Sequence, residues 1–345
     1  MVKMIDVAKT AGVSIKTVSR VINNEPHVRE PIRQKVLKAI KDLNYVPSTS
    51  ARHLRSSRSY TVHIISHTLN SNFVNAVQSG ALLASQKHGY KLALSLLDIS
   101  STETASAILA WCSNLIRTNN PDGIILVPPY NNNHDINAAF ENLNIPIIRI
   151  GPNCIEDSNK TVLIDDFAAA KEIVDHLISL GHTRIAFVKG PDDQEASHKR
   201  FQGYKNALQA KKIKFDESLV FPGDFNFVSG MAAGDKFLGL AKRPSAVFTA
   251  NDDMAAGFLV SALKRGIKVP EELSIAGFDD SELAEKMWPQ ITTVRQPTLE
   301  FGRRAIELLV SRMGSEKKRN SDDTQIEKLD YEIILRNSTG SKIGS

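Results

Sequence analysis

From Tyr60 onward the chain repeats one short pattern. Compact apolar runs stand at 60–66, 91–98, 123–128, 145–150, 184–190, 246–251 and 273–279, each bounded by turn residues. Segments with helical spacing lie between them, for example 166–180, 196–211, 253–265 and 299–313. A short apolar run followed by a helix must return beside the previous strand, so the pattern predicts parallel sheets covered by helices. About 280 residues of it suffice for two doubly wound lobes rather than one.

The first 60 residues follow a different rule. In MIDVAKTAGVSIKTVSRVIN, Met4, Val7, Ala8 and Ala11 form one helical stripe, and Val18, Val21 and Ile22 form a second. Gly12 lies between the stripes, where a left-handed turn carries no steric cost, and Ser14 offers a capping hydroxyl. Two short helices joined in this way make a helix-turn-helix, whose second helix enters the DNA major groove. Its free face carries Ile15, Lys16, Thr17, Ser19 and Arg20. Lys16 and Arg20 suit guanine edges, Ile15 a thymine methyl, and Ser14, Thr17 and Ser19 the phosphates. Pro31 opens a third helix, and Val28, Ile32, Val36, Ile40, Leu43 and Tyr45 complete a small core.

Charge supports this division. Residues 1–60 hold 12 Lys and Arg against 4 Asp and Glu, a net +8, whereas the remainder carries −3. A basic head on a mildly acidic body is the footprint of a nucleic-acid-binding module joined to a different domain.

The head resembles the N-terminus of the lactose and galactose repressor family. The match runs through DVAKTAGVSIKTVSRVIN, Tyr45-Val46-Pro47 and Ala51-Arg52-His53-Leu54. One departure is Lys3, where the family usually caps the first helix with Ser or Thr; the loss is about 1 kcal/mol. The resemblance implies an all-α helix-turn-helix domain at 1–46 and a hinge at 47–59. It further implies a two-lobed core at 60–338, similar to periplasmic sugar-binding proteins, with two doubly wound parallel sheets. The chain is expected to cross between lobes near 161, 291 and 323. Lobe one would then hold 60–161 and 292–322, lobe two 162–290 and 323–338, with 339–345 a disordered tail.

The linker PSTSARHLRSSRS reads by itself as a flexible tether. By resemblance it is a hinge helix that forms on operator DNA, since about seven residues are too few for a stable isolated helix. Leu54 would wedge between base steps in the minor groove, Arg52 and Arg55 would meet phosphates or the groove floor, and His27 would add a further DNA contact.

In open α/β sheets, ligands bind beyond the carboxyl ends of the strands. Those ends are His67, Asp98, Asn131, Asp192, Asp224-Phe225, Asn251-Asp252, Asp279-Asp280 and Gln296 with their neighbours. Carboxylates, amides and an aromatic together suit a polyhydroxyl ligand. The resemblance narrows the set to Arg200, Phe225, Asn251, Asp252 and Asp279, with Asn131 nearby and His67 and Phe73 at the mouth of lobe one. Asp252 and Asp280 also stand at helix starts, where a carboxylate caps amides regardless of ligand. Arg200 has the alternative of pairing with a surface acid, and Phe225 of packing in the core. His182, at a helix-to-strand turn, reads as structural.

No GxSxG, P-loop or HExxH motif is present, so no catalytic chemistry is expected. Cys112 and Cys154 lack the neighbours of a zinc site and read as buried hydrophobes. No cofactor or metal is expected. No apolar run spans a membrane and the start lacks a signal-peptide core, which points to the cytoplasm. The expected protein is thus a homodimeric transcriptional repressor on a pseudopalindromic operator, controlled by a small carbohydrate-like effector. A phosphoprotein corepressor, as in the family's catabolite-control members, and a sugar-binding protein with no DNA role are the alternatives.

Overall fold

The computed structural model describes residues 2–22, 25–26, 28–45, 58–68, 71–97, 104–151, 160–313 and 326–342. The chain forms two units, 1–60 and 61–345. The expected hinge helix, with Arg52, Leu54 and Arg55, lies outside the described residues, as does His27.

Three helices build the first unit: α1 (Met4–Ala11), α2 (Ile15–Ile22) and α3 (Glu30–Asp42). Gly12 closes α1 at φ 65°, the left-handed conformation expected of it. Val7, Ala8, Val18, Val21, Val36, Ala39 and Tyr45 are buried together, with Val28, Ile40 and Leu43 packed around them. The missing Ser or Thr at Lys3 is partly offset. The Lys3 backbone N–H donates to Asp6 Oδ2 at 2.8 Å, the returning half of a capping box.

The second unit contains two parallel sheets. The larger has six strands in the order β11-β5-β4-β3-β1-β2: β1 (Thr61–Ser66), β2 (Lys91–Leu96), β3 (Gly123–Leu126), β4 (Ile147–Ile150), β5 (Lys160–Leu163) and β11 (Ile326–Lys328). The smaller has four in the order β7-β6-β8-β9: β6 (Ile185–Lys189), β7 (Val220–Pro222), β8 (Ala246–Thr249) and β9 (Ser274–Ala276). All their pairings are parallel. Ile124, Ile125 and Leu126 are wholly buried, because helices cover both faces of such a sheet. A third sheet of two strands, β10 (Thr293–Arg295) with β12 (Glu332–Ile334), is antiparallel and sets Val294 opposite Ile333.

These pairings move all three expected crossings. Thr161–Leu163 pairs with Ile326–Lys328, so both segments belong to lobe one. The first crossing therefore follows Leu163 rather than 161, and the last lies beyond Lys328 rather than at 323. Residues 292–295 continue beside the small sheet through bridges from Thr292 to Ala276 and from Arg295 to Asp279, so the middle crossing lies beyond Arg295. The tail from 339 is also corrected. Lys342 N–H donates to Leu180 O at 2.9 Å, and Gly340 N–H to Ser274 Oγ at 3.0 Å. His182 is buried in this seam, 3.0 Å from Ser245 Oγ, Ser274 Oγ and Gly340 O, which makes it structural.

Helices Asn72–Lys87 and Thr298–Met313 of lobe one meet backbone to backbone. A Cβ on Gly302 would stand 1.9 Å from Val77 O, and one on Gly80 1.8 Å from Leu299 O. Gly302→Ala must therefore push the helices apart. The expected cost is about 2–3 kcal/mol, read as a lower urea midpoint at unchanged slope.

Candidate functional site

Every βα unit of a parallel sheet places a strand's carboxyl end and the next helix's N-terminus on the same edge. Here the edges of the two lobes face each other across a cavity of about 350 Å³. Lobe one supplies His67, Thr68, Ser71 to Val74, Pro128 and Gly151. Lobe two supplies Asp166, Gln194, Arg200, Asp224 to Phe227, Asn251, Asp253 and Asp279, and Gln296 lines the wall near a crossing.

Arg200 is the hub. It is 5% exposed; its Nε donates to Asp166 Oδ1 at 2.8 Å and its Nη1 to Ala250 O at 2.6 Å. The same Nη1 lies 3.7 Å from Asp279 Oδ1. The guanidinium stacks 3.6 Å from the centre of the Phe278 ring, and the Phe225 ring stands 5.9 Å away. Its charge is therefore held in place at the cavity wall. Its partners are not acids of the outer surface: Asp166 and Asp279 stand in the cavity wall with side chains only 15% and 14% exposed.

Asp279 accepts from Gln296 Nε2 at 2.6 Å. Burial pushes its carboxyl up to about 7, against the pull of Arg200 and the Gln296 bond. Burial raises Asp166 as well. Asp279 also sits at φ 118°, a conformation that costs a non-glycine residue about 1–3 kcal/mol. Its neighbours hold it there: the Asp279 N–H donates to Val294 O at 2.8 Å. Phe225 has φ 54°, and its carbonyl accepts from Asn251 Nδ2 at 2.9 Å. Asn251 meanwhile caps the Asp252–Lys264 helix by accepting from Met254 N–H at 3.0 Å. The cavity therefore offers carboxylate acceptors, amide groups and an aromatic face within one small volume.

Six of the eight expected ligand contacts line this cavity: His67, Phe73, Arg200, Phe225, Asn251 and Asp279. Two do not. Asn131 is buried and donates to Ile150 O and Gly151 O, both at 2.7 Å, so it shapes the turn behind the wall. Asp252 is fully buried, accepting from Thr293 Oγ1 at 2.6 Å and Ser281 N–H at 2.8 Å. Asp252 does not cap its own helix either, since Asn251 holds that place; it ties the helix start to Ser281 and Thr293. Asp280 likewise turns away, to Arg295 and Arg336, both at 2.6 Å.

Sequence reasoning missed Asp166, Gln194, Asn72 and Asp253. The signal for Asp166 was present, since it follows β5 directly. That strand is four residues long and half polar, and so gives no apolar run.

On α2, Val18 and Val21 face the core while Ile15, Lys16 and Arg20 are exposed and Thr17 and Ser19 half-buried. Ser14 Oγ accepts from Thr17 N–H at 3.2 Å, fulfilling the capping role. Arg20 lies 3.4 Å from Glu25. The exposed face is therefore a short basic ridge on a rigid helix.

The profile of bacterial regulatory proteins of the lacI family matches residues 3–48. That of the periplasmic binding protein-like domain matches residues 174–339. Catabolite control protein A of Priestia megaterium is 33% identical over 341 residues, covering 98% of this chain and 99% of that protein. The chain belongs to the lacI family. Among solved structures, the lac repressor dimer bound to operator and the anti-inducer ONPF superposes with a TM-score of 0.80 at 25% identity, covering 98% of this chain and 99% of that one. The transcriptional regulator CelR–cellobiose complex gives 0.73 at 31% identity, covering 98% and 100%. This lacI-family member is a DNA-binding transcriptional regulator with an effector-binding core, and is not an enzyme.

Proposed function

We propose that this regulator is a repressor that binds a pseudopalindromic operator as a homodimer in the cytoplasm. A small polyhydroxyl ligand, a sugar or sugar-like metabolite, binds between its lobes and sets its operator affinity. One observation carries the reading of the ligand. The 350 Å³ cavity joins Asp279, Gln296 and the buried Arg200 to the Phe225 ring, which is the mixture of acceptors, donors and apolar face that a sugar ring requires. In the solved relative named above, the bound ligand is cellobiose. Among the described residues no helix is long and apolar enough to cross a membrane.

A thermal-shift screen over sugars and nucleosides tests the ligand, because a binder raises the melting temperature by mass action. A panel without a single shift, together with capture of a phosphoprotein that strengthens operator binding, would replace this reading with the protein-corepressor alternative.

The head makes its own prediction. Operator affinity is expected to fall steeply with salt, as Lys and Arg contacts release condensed counterions. For six or more phosphate contacts the loss is on the order of a thousandfold between 50 and 200 mM salt. A flat profile on a duplex selected from a random pool would reject the basic-head mechanism.

A further inference from the structure

Asn72 Nδ2 donates to Asp253 Oδ2 at 3.3 Å, across 181 residues of sequence. Both residues line the cavity. Asn72 opens the Asn72–Lys87 helix of lobe one, and Asp253 lies in the first turn of the Asp252–Lys264 helix of lobe two. The bond thus ties one lobe to the other at the two helix starts.

Asn72 is exposed and Asp253 half-buried, so the weight of the pair comes from its position at two helix starts. Each helix N-terminus carries a partial positive charge. Asp253 sets a carboxylate at the start of its own helix and accepts from the first residue of the other, so one anion serves both helix starts. Burial lifts its carboxyl above the usual range while the Asn72 bond pulls it down. The capping residues are already occupied, Ser71 by Val74 N–H and Asn251 by Met254 N–H, so neither replaces Asp253 as the bridge.

We propose that Asn72 and Asp253 form a latch that holds the lobes together at the cavity and so sets operator affinity independently of any ligand contact. The inference rests on reading the cavity as a regulatory site, but its test uses no ligand. A failed metabolite screen therefore leaves it standing or falling on its own result.

The test exchanges the two side chains in the full-length protein. Asn72→Asp sets two carboxylates against each other at the gap. Adding Asp253→Asn restores a donor and an acceptor in reverse order. Amide hydrogen exchange is read over Ser71–Val74 and Asn251–Met254, and affinity on a duplex selected from a random pool. Asn72→Asp is expected to speed exchange in both segments by about tenfold and to shift operator affinity by at least about threefold. The double variant should return both readings to within about twofold of the parent. Should Asn72→Asp not yield folded protein, Asn72→Ala carries the same test with a smaller shift. Exchange unchanged in the single variant, or a double variant that behaves like the single one, overturns the latch. Altered exchange with operator affinity constant across the set overturns its regulatory role.

Discussion

Asp279→Ala is expected to abolish the response to ligand while leaving operator binding intact. Its carboxylate faces the cavity beside Arg200, and Gln296 holds it in place. A hydrogen bond to a charged group contributes about 1.5–3 kcal/mol. Two sugar hydroxyls on one carboxylate therefore represent a loss of about 100-fold or more in affinity. Titration with the metabolite identified by thermal shift reads it, with filter binding as the control for DNA. A normal response in this variant removes Asp279 from the ligand site. The wild type should also show a pH signature. Hydroxyls donate best to the ionised carboxylate, and burial places the Asp279 carboxyl near 7. Ligand binding then releases a proton, so affinity rises as pH increases through 7. Asp279→Asn should flatten that rise.

Arg200→Ala is expected to destabilise the core by roughly 3–5 kcal/mol, the range for breaking a buried ion pair by removing one partner. The loss is large because Asp166 and Asp279, both mostly shielded from solvent, are left without their counter-charge and Ala250 O loses its donor. Urea unfolding of Arg200→Ala, alone and with Asp166→Asn, measures it. Removing one stranded carboxylate should recover part of the loss, and a second substitution that deepens it would contradict the ion-pair account. The pH dependence has a definite sign. A carboxyl whose folded value lies above its ordinary 3.8 favours folding at low pH, and that contribution is lost as pH rises through the folded value near 7. Arg200→Ala should therefore be nearer the wild type at pH 5 than at pH 8.

The sequence shows some parts of this molecule better than others, for physical reasons. Long buried strands such as Val62–Ile65 have apolar runs because both faces are covered, and they read clearly. β5, β10, β11 and β12 are three or four residues of mixed polarity; their pairing depends on partners more than a hundred residues away or on the crossings themselves. The strand-end rule found the correct edge of each sheet but not the direction of a side chain on it. Asp252 and Asp253 are adjacent, yet one bonds Thr293 inside the lobe and the other faces the cavity. Composition carries no trace of that difference, because the helix phase decides it. Arg200, Phe225 and Asp279 were legible through resemblance and Gln296 through the strand-end rule; the structure adds Asp166 and shows that Asp166 and Gln296 orient Arg200 and Asp279.

The pairing of β11 with β5 has a consequence for synthesis on the ribosome. Lobe two has all four strands of its parallel sheet by Ala276, yet its seam is sealed only by Gly340 and Lys342, and lobe one still awaits its edge strand at Ile326–Lys328. Domains generally fold as units during translation, N-terminal first. In this polypeptide both lobes close late: the early strands of lobe one and the finished sheet of lobe two each wait for segments made after the middle crossing.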